Sequence, residues 1–317
     1  MRHIHLLAGA VLALCAATAA AQDYPNRPIR FVVPTTPGNT TDLLGRIVAT
    51  EASKILGQPV IVENRTGANQ LIGIEYVAKQ AAADGHTAAV IGIEGLVLLP
   101  LTSKNIRFDP FKDIVPVAGL AEGRYFLASS ATLPWKSFNE FIAHAKANPG
   151  KLNYGSSVVQ VRLPVLMIMQ THGLDLVHIP YTGGAPYLQA LLAGEVQLGI
   201  GGEGPLTGMG ERIRILAVTG DQRLPAFRDS PTFAELGFAQ IRGPSYMLSV
   251  RAGTSREIID RLNAAISRAL QTTEAKASLA KILLTATNTP PALTARTIAE
   301  QARFYAELAR SIGITPE

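Results

Sequence analysis

Short apolar runs alternate with longer stretches of helical spacing along most of this chain. Residues 29–33 form a compact apolar run closed by Pro34, as a buried strand would. A loop of Pro, Thr and Gly follows. Over 42–56 the residues Leu43, Leu44, Ile47, Val48 and Ile55 can share one helical face, and Gly57 stops the helix. A strand at 60–62, a helix at 72–83 and a strand at 88–91 continue the rhythm, which argues for parallel sheets covered by helices.

The pattern restarts after a stretch punctuated by Pro110, Pro116 and Pro134. Strands are predicted at 125–129, 176–179, 196–200 and 213–218, with helices over 138–147, 163–172 and 187–193; residues 152–154 lead into a loop. The tail from 255 to 312 reads as largely helical, with Ile258, Leu262, Ile266 and Leu270 along one side. No repeat of about 20 to 50 residues is visible. The expected architecture is α/β in two lobes: 22–123 with 250–317 in the first, and 124–249 in the second.

The start of the chain changes the picture. Arg2, His3 and His5 make a basic opening, residues 6–14 are apolar, and Ala19-Ala20-Ala21 offers small residues for cleavage before Gln22. This predicts a secretory signal peptide over 1–21 and a periplasmic product. The apolar run is too short for the ~20 residues that span a bilayer. Cys15, the one cysteine, lies inside this segment behind Leu14, a larger residue than lipoprotein processing sites prefer. The mature chain then has no thiol nucleophile, disulfide or cysteine metal ligand. Composition adds little to this: 317 residues, 47% hydrophobic, 17% charged, net charge +5 spread without a basic run, and few aromatics. No nucleic-acid partner is expected, and a monomer is.

Motifs for chemistry are sparse. Gly199-Ile200-Gly201-Gly202-Glu203-Gly204 matches the dinucleotide spacing, but Pro205, Gly208 and Gly210 make poor material for the helix that motif must open. There is no G-x-S-x-G elbow, and His86, His144, His172 and His178 are not in metal-binding spacing. No catalytic residue, metal or cofactor is predicted. Three loops that follow strands are more informative: 34–42, Gly155-Ser156-Ser157, and Tyr181-Thr182-Gly183-Gly184-Ala185. In open α/β sheets ligands bind at the carboxyl ends of strands, where amides and helix N-termini favour anions.

These loops sit among ordered motifs that carry a resemblance. They are Tyr24-Pro25-Asn26-Arg27-Pro28-Ile29-Arg30, Val33-Pro34-Thr35-Thr36-Pro37-Gly38, Leu56-Gly57-Gln58-Pro59-Val60, Val62-Glu63-Asn64-Arg65, Asp84-Gly85-His86-Thr87, Ala147-Asn148-Pro149-Gly150-Lys151-Leu152-Asn153-Tyr154-Gly155-Ser156-Ser157, His178-Ile179-Pro180-Tyr181-Thr182-Gly183-Gly184-Ala185, Leu216-Ala217-Val218-Thr219 and Ser230-Pro231-Thr232. Over nearly its whole mature length the chain resembles the Bug (Bordetella uptake gene) receptors, the TctC-like binding proteins of tripartite tricarboxylate transporters. The resemblance implies a two-lobed type II periplasmic binding fold with parallel-dominated sheets and a hinge. It also implies a cleft that holds a small organic carboxylate, such as an amino acid, aromatic acid or dicarboxylate. Thr35, Thr36, Pro37, Gly38, Asn39, Thr40 and Asp42 would supply one wall; Ser156, Ser157, Tyr181, Thr182, Gly183, Gly184 and Ala185 would supply the other.

Departures from the family pattern mark where specificity could differ. Asn39 replaces a glycine, Val158-Val159-Gln160-Val161 replaces Gly-Asn-Gly-Thr, and Gly201 stands where an aspartate is usual. Arg162 follows the apolar stretch. Glu94, Arg124, Arg162 and Glu203 are therefore candidate specificity residues; a cleft-facing Glu94 or Glu203 would repel a polyanion and suit a zwitterion. Lobe closure about crossings near 122–125 and 246–251 would bury the ligand and present a surface to inner-membrane transporter components or a sensor domain. The competing expectation is an exported enzyme acting on a small organic acid, with His178 or Glu203 as base.

Overall fold

The computed structural model describes residues 24–156, 159–181, 184–202 and 209–311, with positions 313 and 316. The predicted export segment, with Cys15, and the candidate residues Ser157, Thr182, Gly183 and Glu203 lie outside the described residues.

Two sheets organise the chain. The first takes β2 (Val60–Asn64), β1 (Ile29–Val33), β3 (Thr87–Gly92), β10 (Ser245–Arg251), β4 (Ile114–Glu122) and β11 (Thr285–Thr289) in that spatial order. The second takes β7 (Leu176–Pro180), β6 (Leu152–Ser156), β8 (Leu198–Gly202), β5 (Tyr125–Ser130) and β9 (Ile213–Val218). The chain leaves the first sheet through Gly123 and Arg124, between β4 and β5. It is back by Ser245, because β10 pairs along its whole length with β3 and β4. Residues 246–251 are thus a central strand of the first sheet, and the return crossing precedes them.

Both sheets are mixed rather than parallel-dominated. The pairs β1–β2, β1–β3, β6–β7 and β6–β8 are parallel, while β10 and β5, the strands that follow the crossings, enter antiparallel to their neighbours. An apolar run reports burial on two faces and not direction, which is why the sequence pattern did not separate the two cases.

Helix α1 (Thr40–Leu56) begins where Asn39 accepts a hydrogen bond from the Thr41 N–H and ends at Gly57 in the left-handed region. Further along come α2 (Leu71–Glu75), α3 (Ile93–Thr102), α4 (Phe138–Ala147), α5 (Val159–His172), α6 (Gly184–Ala193), α7 (Arg256–Gln271), α8 (Thr273–Lys281) and α9 (Pro291–Ser311).

Alternate residues of each strand feed different cores. Ile29, Phe31 and Val33 of β1 pack with Leu44 and Val48 of α1 and Leu262 and Ile266 of α7. Ala128 of β5 packs with Leu188 and Leu191 of α6. The remaining core runs through both sheets. It joins Val32 and Ile91 to Leu127, Tyr154 and Leu198 by way of Leu96, Val97, Leu98 and Leu99 of α3 and Val161, Leu163 and Ile168 of α5. Helix α3 is buried from Ile93 to Leu99, Glu94 included, and so shows no polar face to solvent there. Each of its aliphatic side chains contributes roughly 1.5–3 kcal/mol by burial. The two lobes therefore share an apolar seam.

Tyr187 of α6 lies across β6 and β8, its hydroxyl donating to the Ile200 carbonyl at 3.2 Å. A Cβ on Gly199 would overlap that hydroxyl and ring. Gly199→Ala should therefore lower stability by about 1–3 kcal/mol through overpacking. Urea unfolding measures this, and an unchanged midpoint would show that the Tyr187 contact is not tight.

Candidate functional site

The first wall grows out of β1. After Pro34 the chain turns through Thr36, whose carbonyl accepts from the Asn39 N–H, and Gly38 takes φ +81°, a region glycine occupies without a Cβ penalty. Thr36, Pro37, Gly38 and Asn39 are exposed; Thr40 and Asp42 are buried. Asp42 does not present its carboxylate to a ligand. It accepts from the Gly38 N–H at 2.9 Å, from Arg46 Nε at 3.0 Å and from Asn64 Nδ2 at 2.8 Å. Asn64 Nδ2 also reaches the Thr35 carbonyl at 3.0 Å, and Arg46 donates to Asn64 Oδ1 at 3.1 Å. Burial opposes ionisation of Asp42, yet these donors outweigh it and hold the carboxyl below its ordinary range. The loop is shaped from beneath, and Thr35 Oγ1 is left buried without a protein partner.

The second wall ends β6 and β7, which run parallel with Tyr154 beside His178 and Ser156 beside Pro180. Ser156 Oγ lies 2.7 Å from His178 Nε2, and the Tyr154 and His178 rings stand 4.9 Å apart. Burial first, and then the charge of Arg162, lowers the His178 pKa and favours the neutral ring. Arg162, in the first turns of α5, donates to the Tyr154 hydroxyl at 3.4 Å. The Tyr181 N–H donates to the Ser156 carbonyl at 2.9 Å, and its ring packs against Tyr187 at 5.9 Å. Gly184 and Ala185 open α6 just beyond.

These walls face one another. A Cβ built on Gly202, at the end of β8, would stand 3.7 Å from Thr40 Oγ1 at the start of α1. Surface hollows of about 420 and 810 Å³ lie elsewhere, beside Arg268 and Asn288 and beside Phe108 and Phe111, and involve none of the candidate residues.

Glu94 and Arg124 take other places than a ligand-facing role requires. Glu94 is 3% exposed and accepts from the Ser245 N–H at 3.1 and 3.3 Å, at the point where the chain has returned to the first sheet. Burial pushes its carboxyl up to about 7, against donors that include Ser245 and Gln301. The repulsion of polyanions expected from a cleft-facing Glu94 has no basis in this arrangement. Arg124 donates to the carbonyls of Thr219 at 2.5 Å and Gln222 at 3.2 Å, tying the first crossing to the segment after β9. Val161 is buried in the shared core and does not line a bulkier wall.

Sequence reasoning missed Asn64 and Tyr154 as working parts of the walls. Asn64 was visible only as part of a motif, because its partner Asp42 is 22 residues away. Among the described residues no group of His, Cys, Asp and Glu could hold a metal ion, and no helix is long and apolar enough to cross a membrane.

Two α/β lobes joined by short crossings, with opposed walls at strand ends, define the class of two-lobed solute-binding proteins. A profile of the tripartite tricarboxylate transporter family receptors matches residues 44–314, and the chain belongs to that family. It is 38% identical over 274 residues to the UPF0065 protein in the gbd 5' region of Cupriavidus necator, covering 85% of this chain and 83% of that protein. It is 32% identical to BugT of Bordetella pertussis, covering 94% and 93%. Among solved structures, R. palustris Rpa4515 with adipate superimposes with a TM-score of 0.85 at 31% identity, covering 93% of this chain and all of that one.

The Asp42 network predicts an acid-sensitive first wall. Because the folded carboxyl titrates below its unfolded value of about 3.9, its contribution is complete above that pH and is lost as pH falls through the folded value. Asp42→Asn should cost about 1–3 kcal/mol at pH 7 and flatten the acid limb of stability. Melting temperatures of both proteins from pH 7 to 3 decide it, and parallel curves would reject the assignment.

Proposed function

We propose that this receptor captures a small organic carboxylate between its lobes in the periplasm, performs no chemistry on it, and delivers it to inner-membrane transporter components or a sensor partner. The observation that carries the reading is the first wall. The Asp42–Arg46–Asn64 network fixes a strand-end loop opposite the end of β8, where the exposed Thr36 and the N-terminus of α1 offer donors to an anion. The relative solved with adipate supports the carboxylate class. A ligand touching both walls stabilises the closed arrangement through contacts that neither wall makes alone. The basic and apolar opening of the sequence supports export with cleavage near Ala21.

One observation favours an enzyme: Ser156 and His178 are within hydrogen-bond reach, as a nucleophile and its base would be. The surroundings argue against it. Hydrolases orient the base with a carboxylate that stabilises the imidazolium; here the charged neighbour is Arg162, which disfavours it.

A thermal-shift screen of monocarboxylic, dicarboxylic, aromatic and amino acids, with ester hydrolysis assayed in parallel, tests the reading. A ligand at a hundredfold excess over its Kd should add about 2.7 kcal/mol of stability and raise the melting temperature, with no turnover. Turnover abolished by Ser156→Ala, with no acid raising the melting temperature, would replace the receptor with the enzyme.

A further inference from the structure

We propose that Arg162 is a specificity residue of this cleft, taking a second acidic group on ligands whose first carboxylate sits at the β1–α1 loop. The proposal rests on the receptor reading above and adds a charge requirement to it.

A comparison of arginines carries the argument. Among the described residues five arginines are half-buried. Arg65 pairs with Glu63 at 2.6 Å. Arg124 is bound to the Thr219 carbonyl, Arg214 to the carbonyls of Trp135 and Ala131, and Arg251 to that of Ala81. Among the described residues Arg162 hydrogen-bonds the Tyr154 hydroxyl alone, a neutral group 3.4 Å away. Its chain neighbours Val161 and Leu163, and Tyr154 itself, are buried. Among the described residues no anion or carbonyl offsets the solvation that this half-buried guanidinium gives up.

Its position matches the need. Tyr154 and Ser156 lie two apart on β6 and so project from the same side of the second sheet, the side on which Arg162 meets Tyr154. Ser156 Oγ and His178 Nε2 stand at the strand ends next to it. The cluster is a cation, a neutral imidazole and two hydroxyls, with no acidic side chain in contact among the described residues. An anion placed there could accept charge-assisted bonds from the fork of Arg162, which a carboxylate matches in geometry. Tyr154 is the positioning residue: its ring, stacked beside His178, sets the height of the hydroxyl that holds Arg162 Nε. Glu94 and Asp42, the two acidic candidates within the described residues, are engaged by Ser245 and by Gly38, Arg46 and Asn64, so neither offers a competing charge.

Calorimetric titration of the wild type and Arg162→Gln with straight-chain acids tests this, using matched pairs with a carboxylate at one end or at both. The expected result is a preference for a diacid in the wild type. Arg162→Gln should weaken that diacid roughly tenfold or more, leave the matched monoacid within about twofold, and be partly rescued in Arg162→Lys. The diacid advantage should also shrink with added salt. Arg162→Gln should melt close to the wild type, since a single long hydrogen bond is lost. Equal losses for both acids, or no change for either, would overturn the subsite while leaving the receptor reading in place. A wild type that binds none of the acids would overturn both.

Discussion

One buried carboxylate sets the shape of the binding face. Asp42 is the third residue of α1, and its two oxygens collect the backbone of Gly38, the fork of Arg46 and the amide of Asn64. Through Asn64 it reaches the Thr35 carbonyl and the end of β2, so the loop, the helix start and two neighbouring strands are fixed by one group. The amides of Gly38 and Asn39 are themselves spent on this frame, on Asp42 and on the Thr36 carbonyl, so the exposed Thr36 is the loop residue whose N–H and hydroxyl the frame does not use. The family resemblance placed Asp42 among the ligand contacts; its partners make it a support beneath them.

The second wall is built on different lines. Its groups are joined by ring stacking and single hydrogen bonds between neighbouring parallel strands, with Tyr187 clamping the far side of β6 and β8. A wall of this kind can change one side chain without losing its frame. One wall is cross-braced through a single carboxylate, and the other is assembled from pairwise contacts between neighbouring strands.

Much of the fold was legible from periodicity. Strands at 29–33, 125–129, 176–179 and 213–218 and the helix from 42 to 56 stand within a residue or two of their predicted places. The failures have physical causes. Strand β4 contains Pro116, which reads as a breaker but sits at a register shift in the pairing with β10, where a missing N–H is tolerated. Strand β11 is Thr-Ala-Thr-Asn-Thr on a sheet edge, with little hydrophobicity to announce it inside a helical tail. Helix α3 lacks an apolar stripe because it has no exposed face, so its run could not be told from a strand. The candidate loops were legible through their glycines and threonines. Which residues hold them was not, because Asn64 with Asp42, and Tyr154 with Arg162, are assembled only by the fold.

The apolar seam between the lobes bears on how such a receptor reports what it carries. Separating α3 from α5 wets hydrocarbon, at roughly 25 cal/mol for each Å² exposed. The seam therefore holds α3 and α5 together with or without a solute, so any movement of the lobes that keeps it dry turns about this contact. Parting the seam would cost apolar burial that no small solute could return, so release of a solute is tied to motion that leaves these helices packed.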